Sequence, residues 1–190
     1  MQLNTTPPSP PLNLAALLYE ATDDTRALLG SLATQLQASG YRVGGVLQRP
    51  GACGPRSLLE AVDLMTGARI SLCQSLGAGS TACRLDLGGL AEAAMCVRRA
   101  ADAGADLIIV DKFGKQEAQG RGLRADITYA VLTGIPVLTA VPRKNFAAWQ
   151  DFTGGYGTVM MCRDDVAAQW WDGMTRWGRL YRPAPQRAMM

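Results

Sequence analysis

The segment Asp106-Leu-Ile-Ile-Val-Asp111 is an unbroken aliphatic run closed at each end by a carboxylate. A run this short has neither a helical nor an alternating period, so it suits a strand covered on both faces. Leu14-Ala-Ala-Leu-Leu-Tyr19 is a second such run, and Ile135-Pro-Val-Leu-Thr-Ala-Val141 reads as another strand. Strands buried on both faces belong to parallel sheets with helices above and below, and no other feature narrows the fold as far.

The intervening segments agree. Asp23 and Asp24 offer an N-cap for a helix reaching Ser39, with Leu28, Leu32 and Leu36 stacked along it and Gly40 as its stop. Tyr41 to Gln48 reads as the next strand, which completes a βαβ unit. Arg49 to Ser57 is a Gly/Pro loop, and Leu59–Met65 and Arg69–Gln74 flank Thr66-Gly67 as a hairpin. A helix from about Leu87 to Ala103, with Leu90, Ala94, Val97 and Ala101 on one face, leads into the 106–111 strand. A helix over Leu123–Leu132, a strand over Tyr156–Cys162 and a helix over Asp164–Trp177 complete the pattern. The expected fold is α/β and three-layered, with a mainly parallel sheet and an inserted β-hairpin. The 190 residues accommodate one such domain, over 14–178. A disordered Pro-rich leader (1–13) precedes it and a basic C-terminal tail (179–190) follows.

Composition removes several kinds of chemistry. With no histidine, Ser-His-Asp and Cys-His catalysis and every His-ligated metal site drop out. The five cysteines contain no C-x-x-C, and without a secretion signal reduced thiols in the cytoplasm are expected; Cys83 is read as a packed thiol. The Leu14–Tyr19 run is too short to span a membrane. A net charge of +3 and 6% aromatic content, not interleaved with the basic loops, argue against nucleic acid. Trp170, Trp171, Met174 and Trp177 share helical spacing and suit core packing or, between copies of the chain, a homo-oligomer contact.

In open α/β sheets ligands bind outside the carboxyl ends of the strands. All three lysines, Lys112, Lys115 and Lys144, follow the ends of expected parallel strands, and Arg49, Arg121, Arg124 and Arg143 belong to the same loops. The stretch Lys112–Arg124 holds four basic residues against one acid. A second loop, Gly77–Asp86, places Ser80, Thr81 and Arg84 among glycines ahead of a helix, where hydroxyls and a guanidinium suit an oxyanion. A helix-capping turn built on Asp86 is the plainer account of that loop. Both loops share one edge of the sheet if Arg69–Gln74 runs parallel to Asp106–Asp111. The first β–α turn, Glu20-Ala-Thr-Asp-Asp-Thr-Arg26, has no glycine or lysine and carries three carboxylates. It lacks the phosphate-cradling G-x-x-x-x-G-K-[ST] arrangement.

Gly40–Gln48, Gly77–Asp86, Asp111–Gly122 and Gly134–Leu138 together resemble the bacterial family known as domain of unknown function 2478. That resemblance implies a role beside molybdate transport. More distantly, the chain resembles the thermophilic nucleoside-triphosphatase family, which implies a sheet of P-loop-NTPase-like type. In that family a strand enters an Asp-Glu-x-Gly-Lys-x-Glu segment whose first acids handle magnesium and water. Asp111, Gly114, Lys115 and Glu117 match it, while Lys112 replaces the second acid.

The reading that results is a non-catalytic binding protein for a small oxyanion such as molybdate or tungstate, on a degenerate P-loop scaffold. Its expected anion-binding residues are Ser80, Thr81, Arg84, Lys112, Lys115, Arg121 and Arg124. One alternative is a residual nucleotide-binding protein or nucleoside triphosphatase, with Mg²⁺ on Asp111 and Glu117. Another is an interaction module for a molybdate transporter or regulator.

Overall fold

The computed structural model describes residues 12–50, 59–74 and 84–181. Its centre is a seven-stranded sheet. Strand β1 (Leu14–Tyr19) lies between β8 (Val137–Pro142) and β9 (Thr158–Met161), parallel to both. Strand β7 (Leu107–Val110) runs parallel to β8 on one side and to β2 (Val43–Pro50) on the other. The hairpin strands β3 (Leu59–Asp63) and β4 (Arg69–Ser71) extend the sheet beyond β2, giving the order β4-β3-β2-β7-β8-β1-β9. A small ribbon of β5 (Cys73–Gln74) and β6 (Arg84–Leu85) follows.

The aliphatic runs become strands buried on both sides because helices cover both. Leu107, Ile108, Ile109 and Val110 are each fully buried. On one face, α1 (Thr25–Ala38) and α6 (Asp164–Tyr181) bury Leu28, Leu29, Leu32, Ala167 and Trp171 against the sheet. The opposite face is covered by α2 (Leu87–Asp102), α4 (Arg124–Leu132) and α5 (Phe146–Thr153), through Val97, Ile127 and Trp149. This is the three-layer α/β arrangement expected, with the hairpin inserted after β2.

Two caps fall on the expected residues. Asp24 accepts the Ala27 N–H at 3.0 Å to start α1, and Asp86 accepts the Gly88 N–H at 2.9 Å to start α2. The buried stripe of α2 is Ala93, Cys96, Val97, Ala100 and Ala101, so Leu90 and Ala94 lie at its margin. Helix α5 falls in a stretch, between Val141 and Tyr156, to which the sequence reading assigns no element. It is eight residues long, and Phe146, Trp149 and Phe152 form one aromatic face on which Trp149 is 1% exposed. Trp171 is 4% exposed and meets Tyr41 edge-on, so it packs within its own chain. The expectation of reduced thiols fails at Cys73, which is disulfide-bonded, whereas Cys96 and Cys162 are free. A bridge longer than C-x-x-C leaves no spacing signature. Among the described residues no helix is long and apolar enough to cross a membrane.

Candidate functional site

Strands β1, β2 and β7 end at one edge of the sheet, with β8 between β1 and β7, and the chain leaves β1 and β7 through polar turns. Between them opens a cleft of about 1050 Å³, lined among others by Tyr19, Asp24, Arg26, Arg49, Asp111 and Lys112. A smaller recess of about 180 Å³ shares Gln48, Leu59, Asp111 and Lys112 with it and adds Leu85, Lys115 and Glu117.

The three carboxylates of the turn after β1 are occupied locally. Asp23 accepts the Glu20 N–H at 2.8 Å, Asp24 caps α1, and Glu20 pairs with Arg143 at the end of β8. The turn still sets a negative local field. Burial, reinforced by Asp23, Asp164 and Asp24, raises the Cys162 thiol to about 11.

The turn after β7 is organised differently. Phe113 is fully buried and its N–H reaches the Ala140 carbonyl at 3.0 Å, which fixes the loop's first residues against β8. The short helix α3 (Lys115–Ala118) follows, and Glu117 on it is 5% exposed. Glu117 Oε2 accepts the Gly114 N–H at 2.8 Å and Oε1 accepts the Leu123 N–H at 2.9 Å. Gly122 has φ +61° and passes so close that a Cβ there would stand 2.1 Å from Oε1.

Asp111 is 2% exposed at the cleft floor, and one of its oxygens accepts the Gln48 N–H at 3.2 Å. Burial pushes its carboxyl above the ordinary value, while the Gln48 N–H, Lys112 and Arg26 pull the other way. Tyr19 is also raised, by burial first and by Asp111 second.

Of the expected anion-binding residues, the structure brings Lys112 and Lys115 to the recess. Arg124 instead lies 4.7 Å over the Phe152 ring, and exposed Arg121 bonds Gln119. Ser80 and Thr81 lie outside the described residues, and only the strand position of Arg84 is described, in β6. Strand β4 is antiparallel to β3, and β3 to β2, so β4 has the same sense as β7. That is the direction required for the two loops to share an edge, and Leu85, next to Arg84, lines the recess with Lys115. Arg26 is the lining residue that sequence reasoning passed over. Its signal was available, since it stands in the first turn of a helix that follows a buried strand. Among the described residues, none of Arg26, Arg49, Lys112 and Lys115 forms a salt bridge.

The chain is 48% identical over 163 residues to the molybdenum import ATP-binding protein ModC 2 of Bradyrhizobium diazoefficiens. That match takes in 85% of this chain but 18% of the other, so the chain spans less than a fifth of that relative's length. In structure it is similar to a human cancer-related nucleoside triphosphatase solved in solution, with a TM-score of 0.61 and 16% identity. This likeness covers 90% of this chain and 99% of that one, and it is a likeness of fold. The family described as a protein of unknown function, DUF2478, matches residues 14–170, and the chain belongs to that family.

Proposed function

We propose that this chain is a cytoplasmic, non-catalytic binding protein for a small oxyanion of the molybdate or tungstate kind, built on a nucleoside-triphosphatase-like scaffold. The carrying observation is that Arg26, Arg49, Lys112 and Lys115, all without salt bridges among the described residues, surround one cleft system at the carboxyl edge of the sheet. Unpaired cations at a shared concavity raise the local concentration of anions and hold them through charge-assisted hydrogen bonds. Ser80, Thr81 and Arg84 are retained as further donors by residue type alone, and Arg121 and Arg124 would contribute field from the loop's far end. The molybdenum import named for the relative supports a metal oxyanion as the dianion.

The turn after β1 supports binding without hydrolysis. It presents acids where a triphosphate would need amides and a lysine, and two of those acids are engaged in shaping the turn. A nucleotide is the second reading. The cleft of about 1050 Å³ is much larger than a tetrahedral dianion needs, and the relative's name includes ATP binding. Because it matches 18% of a longer molybdenum import protein, the chain also suits an interaction module for a transporter or regulator.

A thermal-shift and calorimetric series with molybdate, tungstate, sulfate, phosphate, ATP and GTP, each with and without Mg²⁺, separates these readings. Saturable stabilisation by molybdate that weakens with ionic strength is expected. No Mg²⁺-dependent triphosphatase activity is expected above that of an Asp111→Ala, Glu117→Ala control. Turnover near one per second that the double variant abolishes would replace the binding reading with the enzymatic one. Stabilisation by ATP or GTP alone would replace the oxyanion with a nucleotide.

A further inference from the structure

Asp111 and Glu117 stand where the resemblance to triphosphatases puts a magnesium ion, but the surroundings of Glu117 describe another task. Its two carboxylate oxygens take the backbone N–H groups of Gly114 and Leu123, which lie at opposite ends of the loop. The carboxylate therefore braces the loop across its width. Everything nearby fits around that brace. The glycine at 122 leaves room for Oε1, and a Cβ at Gly114 would stand 3.4 Å from Oε2. Arg124 reaches the main-chain carbonyl of Glu117 at 3.4 Å. A divalent ion that drew this carboxylate off its two amides would strip buried donors of their acceptors, each of which costs the full desolvation of the group. Asp111 offers little compensation, because it is buried and one of its two oxygens already accepts from Gln48. Among the described residues no group of three or more Asp, Glu, Cys or His side chains is placed to hold a metal.

We infer that Glu117 is a positioning residue that ties Gly114 to Leu123, so that Lys112 and Lys115 face one recess, and that it ligates no divalent cation. Its effect on anion affinity rests on the oxyanion reading above, whereas the brace itself does not. The lysines on either side of Gly114 need a fixed loop, since two flexible ammonium groups lose much of their attraction to the entropy of ordering them.

The test is native-state amide hydrogen exchange by NMR on the full chain, comparing wild type with Glu117→Gln. Glutamine keeps one acceptor oxygen but turns an NH₂ group toward the other amide. The Gly114 or Leu123 amide should then exchange at least about tenfold faster, with Ile108 to Val110 in β7 unchanged. Unchanged exchange at both amides would overturn the brace. Mn²⁺ added to wild type should leave the Gly114 and Leu123 signals sharp; selective broadening there that Glu117→Gln removes would make Glu117 a metal ligand. Calorimetry with molybdate should show Glu117→Gln binding about tenfold more weakly, with little further loss on adding Lys115→Ala. Full affinity in Glu117→Gln would separate the brace from the lysines and overturn the positioning role. If wild type binds no molybdate at all, the oxyanion reading falls while the exchange data still decide the brace. Should Glu117→Gln fail to fold, Glu117→Asp, one methylene shorter, takes the same measurements.

Discussion

The turn after β1 and the loop after β7 leave the same edge of the sheet, from strands separated by β8 alone. One presents Glu20, Asp23 and Asp24; the other presents Lys112 and Lys115 around a single acid, Glu117. In both, carboxylates are used to shape backbone. Asp23 and Asp24 do so at the surface, where they cap a turn and a helix and still project negative charge. Glu117 does so in the interior, where its two oxygens are turned onto backbone amides within the recess it shares with the lysines. The sign of charge at a site thus depends on where each acid makes its hydrogen bonds, and residue counts alone do not reveal it.

The contrast is most easily broken at Gly122. Gly122→Ala puts a methyl group 2.1 Å from the Glu117 oxygen on a residue with φ +61°. A loss of about 3 kcal/mol is expected, from strain and from the displaced acceptor, lowering Tm by roughly 6–12 °C in a calorimetric scan. A wild-type Tm would mean that the loop has room to spare.

Next in size is the split among cations of the same loop. Lys115→Ala should weaken molybdate binding by roughly ten- to a hundredfold, the worth of one charge-assisted hydrogen bond at about 1.5–3 kcal/mol. Arg124→Ala should leave affinity within about twofold, since its guanidinium lies over Phe152. Equal losses in the two variants would dissolve the distinction between rim and flank.

The opposing turn is tested by Asp24→Ala, whose effects should differ in sign. Loss of the cap on α1 costs about 1 kcal/mol, or roughly 2–4 °C in Tm, while removal of a negative group from the cleft should tighten anion binding at low salt. Weaker binding would place Asp24 among the ligand's partners.

The smallest effect concerns Asp111. Burial raises its folded-state pKa above the ordinary 3.8, so the native state resists its ionisation and stability falls as pH rises through that range. Asp111→Asn keeps an oxygen for the Gln48 N–H and should therefore gain on the order of 2 °C at pH 7. That gain should vanish well below pH 4, where the wild-type carboxyl is protonated in both states; a gain independent of pH would assign it to packing.

Much of the sheet was legible because its strands are buried on both faces and so read as unbroken aliphatic runs. The caps at Asp24 and Asp86 were legible for a related reason, since a short polar side chain before an apolar stripe has a local use. Helix α5 was not, because it is short and its apolar residues are spaced for a tertiary aromatic cluster around Phe113. Within the site, the lysines could be found from their place after a strand. The roles of Glu117 and Arg124 could not, because both depend on partners brought in by folding: two amides at the ends of a loop and a ring on another helix.

The hairpin after β2 also limits how this architecture can vary. Because β3 and β4 reverse the chain twice, β4 ends at the same edge as β2, and the first turn of α2 packs there, with Gly89 against the Ser71 carbonyl. The extra strands obey a parity rule. Elements can be added or removed here in pairs without disturbing the return to β7, whereas a single strand would deliver the helix to the wrong end of the sheet. Diversity in the segment bordering the cleft is thereby confined to even steps.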